Sequence, residues 1–213
     1  MAGQECLLVR YLFILSFILR SFADAEVDLA FWLRRSERRI YSQNGEDGMI
    51  SVLLDAIEEV SATSLLPFFV EFGVEDGLEC NTRHLREGPR QWKGVTMDGS
   101  HENQDLNLFK RFVSAENVNS LFQSIGVPRD PAVLSIDLDM NDFHVWRSIL
   151  ENGRVRATVT IIEMNSSIGP DDAVTVPYNA DAQWDGTHFY GASLKALNSL
   201  AQRHGYALAA CGK

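Results

Sequence analysis

Four short runs of this chain are too continuously apolar to leave a face in water: Phe68–Phe72, Gly94–Asp98, Ala132–Asp137 and residues 155–163. A strand with one wet face alternates apolar and polar residues. These runs barely alternate, so each reads as a strand covered on both faces. Helical segments separate them. Ile50, Leu53, Leu54, Ile57 and Val60 recur at helical spacing over residues 46–60, and Glu46 and Asp47 suit the first turn. Phe143, Trp146, Ile149 and Leu150 mark a second helix that stops at Asn152-Gly153. Leu194, Leu197 and Leu200 mark a third over residues 192–204, stopped by Gly205. A short helix is expected near residues 81–87, a weaker strand at Arg111–Ser114 and a last strand at Tyr206–Cys211. Such alternation predicts an α/β fold, a mostly parallel twisted sheet with helices on both faces.

The 213 residues suffice for one domain of this kind. At 46% hydrophobic and 10% aromatic, the composition excludes a disordered chain. Nineteen Lys and Arg stand against 29 Asp and Glu, a formal charge of −10. That balance disfavours phosphate backbones, so no nucleic-acid partner is expected. Three cysteines, at positions 6, 80 and 211, are too few for a disulfide scaffold and show no zinc spacing. Cys80 and Cys211 read as ordinary buried thiols, with a disulfide between them as the alternative.

The N-terminus reads as a separate object. Residues 11–19 are apolar, Arg10 and Arg20 flank them, and Ala23-Asp24-Ala25 follows. This resembles a secretory signal peptide and is short for a membrane span. Glu5 is out of place in a basic leader, and Arg20, Arg34, Arg35, Arg38 and Arg39 all follow the apolar run. A retained anchor would therefore keep the domain in the cytoplasm. Residues 1–25 are taken as a signal peptide or short membrane anchor, with membrane association through residues 7–20. Residues 26–213 are taken as one domain that opens with an Arg-rich, solvated helix over 26–41. The expected location is the secretory pathway or a membrane, with a cytoplasm-facing domain as the alternative.

Ligands of parallel sheets bind at the carboxyl ends of the strands, so the residues ending each strand carry the functional information. The first ends Glu71-Phe72-Gly73-Val74-Glu75-Asp76-Gly77. Glycines there allow tight turns and close approach to a ligand. A dinucleotide loop needs a second glycine where Glu75 stands, and this carboxylate would repel a diphosphate. A cofactor without phosphates fits better, and S-adenosylmethionine, with cationic sulfonium and amino groups, suits an acidic loop. Asp98 ends the second strand, where an acid can accept hydrogen bonds from ribose hydroxyls.

The fourth strand ends Asp137-Leu138-Asp139-Met140-Asn141-Asp142. A calcium loop fails here, because Asp142 stands where Gly is required and Ser148 where a bidentate Glu is required. Asp137 and Asp139 could form the D-x-D clamp of a metal-dependent glycosyltransferase. The favoured reading is a strand-end cluster facing cofactor and substrate, with Asn141 or Asp142 also capping the next helix. Glu163 marks the exit of the fifth strand, and the sequon at Asn165 is expected to be inaccessible there. None of the five histidines has metal-ligand spacing, and no metal is expected. His144, one turn beyond the fourth-strand acids, is the histidine read as a proton acceptor, with a packing role as the commoner alternative.

Taken in order, Tyr41–Asp47, Val70–Gly77, Trp92–Gly94 to Asp98-Gly99, Ser114–Asn119, Ser135–Asp139 and Ile162–Asn165 resemble the FkbM-type methyltransferases over about residues 41–211. The resemblance implies a Rossmann-like methyltransferase fold and S-adenosylmethionine-dependent O-methylation of a hydroxyl on a sugar, glycan or other small-molecule acceptor. It implies that Glu71, Gly73 and Gly77 line the cofactor, that Asp98 holds its ribose and that Glu116 lies near its adenine. Asp139 is then the first choice for the proton acceptor and His144 the second. Two departures stand out. Met140 replaces the family's usual glycine and would crowd the turn. The family's last, seventh strand, antiparallel between the fifth and sixth, has no counterpart after Cys211. That reads as a C-terminal truncation, leaving a gap in the sheet or forcing the sixth strand against the fifth. An inactive, methyltransferase-like binding module is the alternative function.

Overall fold

The apolar runs need cover on both faces, and the fold supplies it. The computed structural model describes residues 4–10, 29–60 and 64–212. Its strands are β1 (Gln4–Arg10), β2 (Phe68–Phe72), β3 (Lys93–Asp98), β4 (Leu108–Lys110), β5 (Val133–Ile136), β6 (Val159–Met164) and β7 (Tyr206–Cys211). Its helices among the described residues are α1 (Leu29–Arg35), α2 (Glu46–Val60), α3 (Arg83–Glu87), α4 (Val118–Ile125), α5 (Asp142–Asn152) and α6 (Leu194–Arg203). One seven-stranded sheet runs in the order β4-β3-β2-β5-β6-β1-β7. The strands from β4 to β6 pair in parallel, while β1 is antiparallel to both of its neighbours. The class is α/β, as the alternation predicts.

Side chains alternate across each strand into two cores. Leu7, Val9, Phe69, Val133 and Ile161 pack with Leu33 of α1, Ile50 and Leu53 of α2 and Leu85 of α3. Leu8, Val70, Phe72, Leu134 and Ile162 pack on the other face with Phe122 of α4, Trp146 of α5 and Leu197 of α6. Each fully buried Leu, Ile or Phe side chain is worth about 1.5–3 kcal/mol relative to exposure. This double burial is why the strand sequences do not alternate.

The structure corrects several expectations. Gln4–Arg10, grouped above with the N-terminal apolar segment, is a largely buried strand inside the sheet. It occupies the place between β6 and β7, so the sheet has no gap there and β7 does not slide onto β6. The antiparallel strand is supplied from the N-terminal side of the domain. The apolar run at 11–19 and the A-x-A site lie outside the described residues. Among the described residues no helix is long and apolar enough to cross a membrane.

Cys6 and Cys211 are register partners on β1 and β7 and form a disulfide, leaving Cys80 as a buried free thiol. Neither a Cys80–Cys211 bond nor two free thiols describes this arrangement. The Arg-rich helix ends at Arg35 and does not reach residue 41. The physical reason lies in α2: Asp47 Oδ2 accepts hydrogen bonds from the backbone N–H groups of Ile40, Tyr41 and Ser42 and from the Ser42 hydroxyl. Those bonds hold the segment in a non-helical turn against the start of α2. The weak strand lies at Leu108–Lys110, three residues before the expected place, because Asn107 takes a left-handed conformation and starts the pairing earlier. The helix α4 was not expected, although Val118 and Phe122 one turn apart and Gly126 as its left-handed stop spell it out.

Candidate functional site

The carboxyl ends of β2, β3 and β5 open onto a cleft of about 300 Å³. Gly73, Met97, Asp98, Gly99, Asp137, Leu138, Asp139 and Asn141 form its floor and one wall, and Arg111, Phe112, Val113, Ala182, Gln183 and Trp184 form the rest. Gly73 makes this geometry possible. Its φ is +70°, and a Cβ there would stand 1.6 Å from the Asp137 carbonyl oxygen. The turn after β2 therefore lies directly against the turn after β5, which only glycine permits.

Asp98 closes β3 and faces the cleft, but its own loop already uses it. Oδ2 accepts from the Glu75 N–H at 3.0 Å. Oδ1 accepts from the N–H groups of Ser100 and His101 at 2.7 and 2.9 Å and lies 3.0 Å from His101 Nδ1. Burial works against ionisation, yet the bonds from Ser100, His101 and Glu75 outweigh it and hold this carboxyl below the ordinary range. A carboxylate offers about four lone-pair directions, so one on Oδ2 is left for a ligand.

Asp139 stands at the exposed rim in a left-handed conformation, φ 59°. The cleft walls and the nearby Glu75 charge raise its pKa. Asp137 is half-buried and belongs both to the cleft and to a group of three acids with Asp142 and Glu163. Ligand-capable oxygens of these three lie within 4.8 Å of one another. Burial is the main cause that moves each carboxyl up. Glu163 is pushed up to about 11, with Asp142, Asp137, Asp139 and Glu5 adding repulsion. Asp142 is pushed up to about 7, even though its Oδ1 accepts from the Leu138 N–H. Asp137 is raised by burial and by Asp142 and Asp139.

Of the expected site residues, the fold brings Gly73, Asp98, Asp137 and Asp139 together on one cleft. It uses the others elsewhere. Glu71 is buried beneath the site, where its carboxylate accepts from the N–H groups of Asn81 and Thr82 and from the Thr82 hydroxyl. It thereby fixes the entry to α3 and does not line the cleft. Glu75 is exposed with a left-handed φ of 47°, and it contributes its backbone N–H. Gly77 lies against Leu106 and Leu108, off the cleft. Glu116 is exposed and accepts from the Tyr178 hydroxyl. His144 is buried, 2.8 Å through Nε2 from the Val176 carbonyl, with its ring against Tyr178. Burial lowers its pKa, and it does not line the cleft. Met140 packs with Val176 and Tyr190 and does not crowd the cleft. Asn165 of the sequon is buried, its Nδ2 donating to the carbonyls of His188 and Tyr190.

Reading strand ends missed the far wall. Arg111 and Phe112 were expected inside a strand, and Trp184 lies in a long irregular segment with no periodic signal. The weight of Glu163, Asp142 and Glu5 was missed as well. A charged residue at the edge of an apolar run is the one local signal that Glu5 and Glu163 carry. Neither a protein-family model, nor a curated protein, nor a solved structure matches the chain.

Proposed function

We propose that this chain is an S-adenosylmethionine-dependent O-methyltransferase acting on a hydroxyl of a sugar, glycan or other small molecule. One observation carries the reading: Asp98, Asp137 and Asp139 converge on a cleft that also offers Phe112 and Trp184 as apolar walls and, among the described residues, holds a single guanidinium, Arg111. That donor set fits a ligand with cationic groups and a flat base, and it is poor for a diphosphate. The FkbM-type motifs and the Rossmann-like form of the sheet point the same way.

When bound, S-adenosylmethionine supplies an electrophilic methyl group on a positively charged sulfur. The work of the chain is to position the acceptor hydroxyl in line with it and to take the proton released. The open lone-pair direction of Asp98 would receive one ribose hydroxyl. Phe112 and Trp184 would exclude water from the transfer. Asp139, at the rim and raised in pKa, would accept the hydroxyl proton on its carboxylate. In Asp139→Asn, turnover falls by about 10²–10⁴-fold with cofactor affinity kept, the range of one general base. Equal turnover in the variant would remove the role.

The alternative is a binding module that keeps the cleft without the transfer, favoured by Asp98 spending all but one of its lone-pair directions on its own loop. Calorimetric titration of the full chain with S-adenosylhomocysteine, NADH and uridine diphosphate separates the readings. Micromolar binding of the first alone supports a cofactor site. Binding of uridine diphosphate only with Mn²⁺ would favour a glycosyltransferase instead. Methyl transfer to an acceptor panel then distinguishes enzyme from module.

A further inference from the structure

Glu5, Glu71 and Glu163 lie at the same end and on the same face of the sheet. Along each strand they continue the faces of Leu7, Phe69 and Ile161. Glu5 enters because β1 is antiparallel, so its first residues meet the last residues of β6, and Glu5 is the register partner of Glu163. Like charges directly opposite on paired strands repel. Asp137 and Asp142 complete the concentration. Among the described residues no Lys, Arg or His forms an ion pair with any of these five acids.

The buried carboxyls differ in how many donors reach them. Asp47 receives four protein donors, all on Oδ2, and Glu71 receives three. Asp142, fully buried, receives one on Oδ1, and its Oδ2 has no hydrogen-bond partner. Glu163 is 6% exposed and its Oε2 has no partner either. Buried oxygens without donors are costly, and a bound cation satisfies them. With separations of at most 4.8 Å, three oxygens share a centre no more than about 2.8 Å from each. Contraction by a few tenths of an ångström reaches the roughly 2.3–2.6 Å of a Ca²⁺–oxygen bond, and a little more reaches smaller cations. An all-oxygen, carboxylate-rich set selects hard divalent ions over soft ones.

We propose that Asp137, Asp142 and Glu163 form a binding site for one hard divalent cation, Ca²⁺, Mn²⁺ or Mg²⁺. Glu5 adds a further buried carboxyl from β1 beside it. Asp137 also lines the cleft, so the cation borders the place where a small molecule would sit. The site does not depend on the methyltransferase reading, because the cation is detected without cofactor or acceptor.

The test uses untagged, chelator-treated full-length protein titrated with Mn²⁺ and followed by electron paramagnetic resonance, with Ca²⁺ and Mg²⁺ as competitors. One saturable Mn²⁺ per chain is expected, displaced by at least one competitor. Glu163→Gln and Asp142→Asn each weaken it at least tenfold. These variants keep the side-chain shape and remove repulsion, so the metal-free variants unfold at or above the metal-free wild-type temperature but lose the upward shift that Mn²⁺ gives the wild type. Absence of saturable binding to the folded wild type would overturn the site. So would equal affinity in wild type and both variants, which would mean surface binding only. A variant that fails to fold leaves the wild-type titration and the second variant to decide.

Discussion

At the residue scale, single atoms decide the cleft. Gly73 is the sharpest case, because its turn has no room for a Cβ against the Asp137 carbonyl. Gly73→Ala should destabilise the fold by about 2–4 kcal/mol, combining a positive φ with a backbone clash, as denaturant unfolding would show. An unchanged midpoint would mean that the two turns are not in contact. Asp98 makes a pH prediction. Its folded pKa is depressed by the donors that gather on it. Its contribution to stability is therefore complete above its unfolded value of about 3.9 and is lost as pH falls through the lower folded value. The gap in stability between wild type and Asp98→Asn should be constant from about pH 5 to 7 and shrink below about pH 4. A gap that widens in acid would contradict the network. Both residues were legible from the sequence as strand-end signals. What was not legible is that Asp98 spends most of its lone pairs on its own loop, because those bonds depend on the path of residues 99–101.

At the element scale, β1 is the unexpected part. A seven-residue strand lying between β6 and β7 supplies hydrogen bonds to both, and the Cys6–Cys211 disulfide ties it to β7 across 205 residues. Cys6→Ser should lower stability by about 2–5 kcal/mol under oxidising conditions and make it insensitive to reductant. Removing residues 1–25 should do more, since it leaves two buried strand edges without partners. The expected product is unfolded or aggregated by circular dichroism and size-exclusion chromatography. A well-folded truncated domain would show that β1 is dispensable. The strand was missed because its six residues before Arg10 merge into the apolar run that follows. Helix α2, by contrast, was legible to the residue, since its amphipathic pattern and acidic first turn are local properties.

At the scale of the whole molecule, the residue that follows β7 and the first residues of β1 meet: the Gly212 N–H donates to the Glu5 carbonyl at 2.9 Å. Moving residues 1–10 to follow Lys213 should therefore preserve the fold, with β7 and β1 becoming a hairpin. Thermal unfolding of this permuted chain within a few degrees of the wild type is the expected result. Failure to fold would place the strand order in question. The α/β class, five of the six expected strands, and the residues that end them follow from the sequence, because burial on two faces and helical periodicity are written in neighbouring residues. The position of β1, the pairing of Cys6 and the meeting of Glu5 with Glu163 were decided by tertiary structure alone. Each depends on which strand becomes the neighbour of which. That choice is made by packing and backbone hydrogen bonding across the sheet, between residues more than a hundred positions apart.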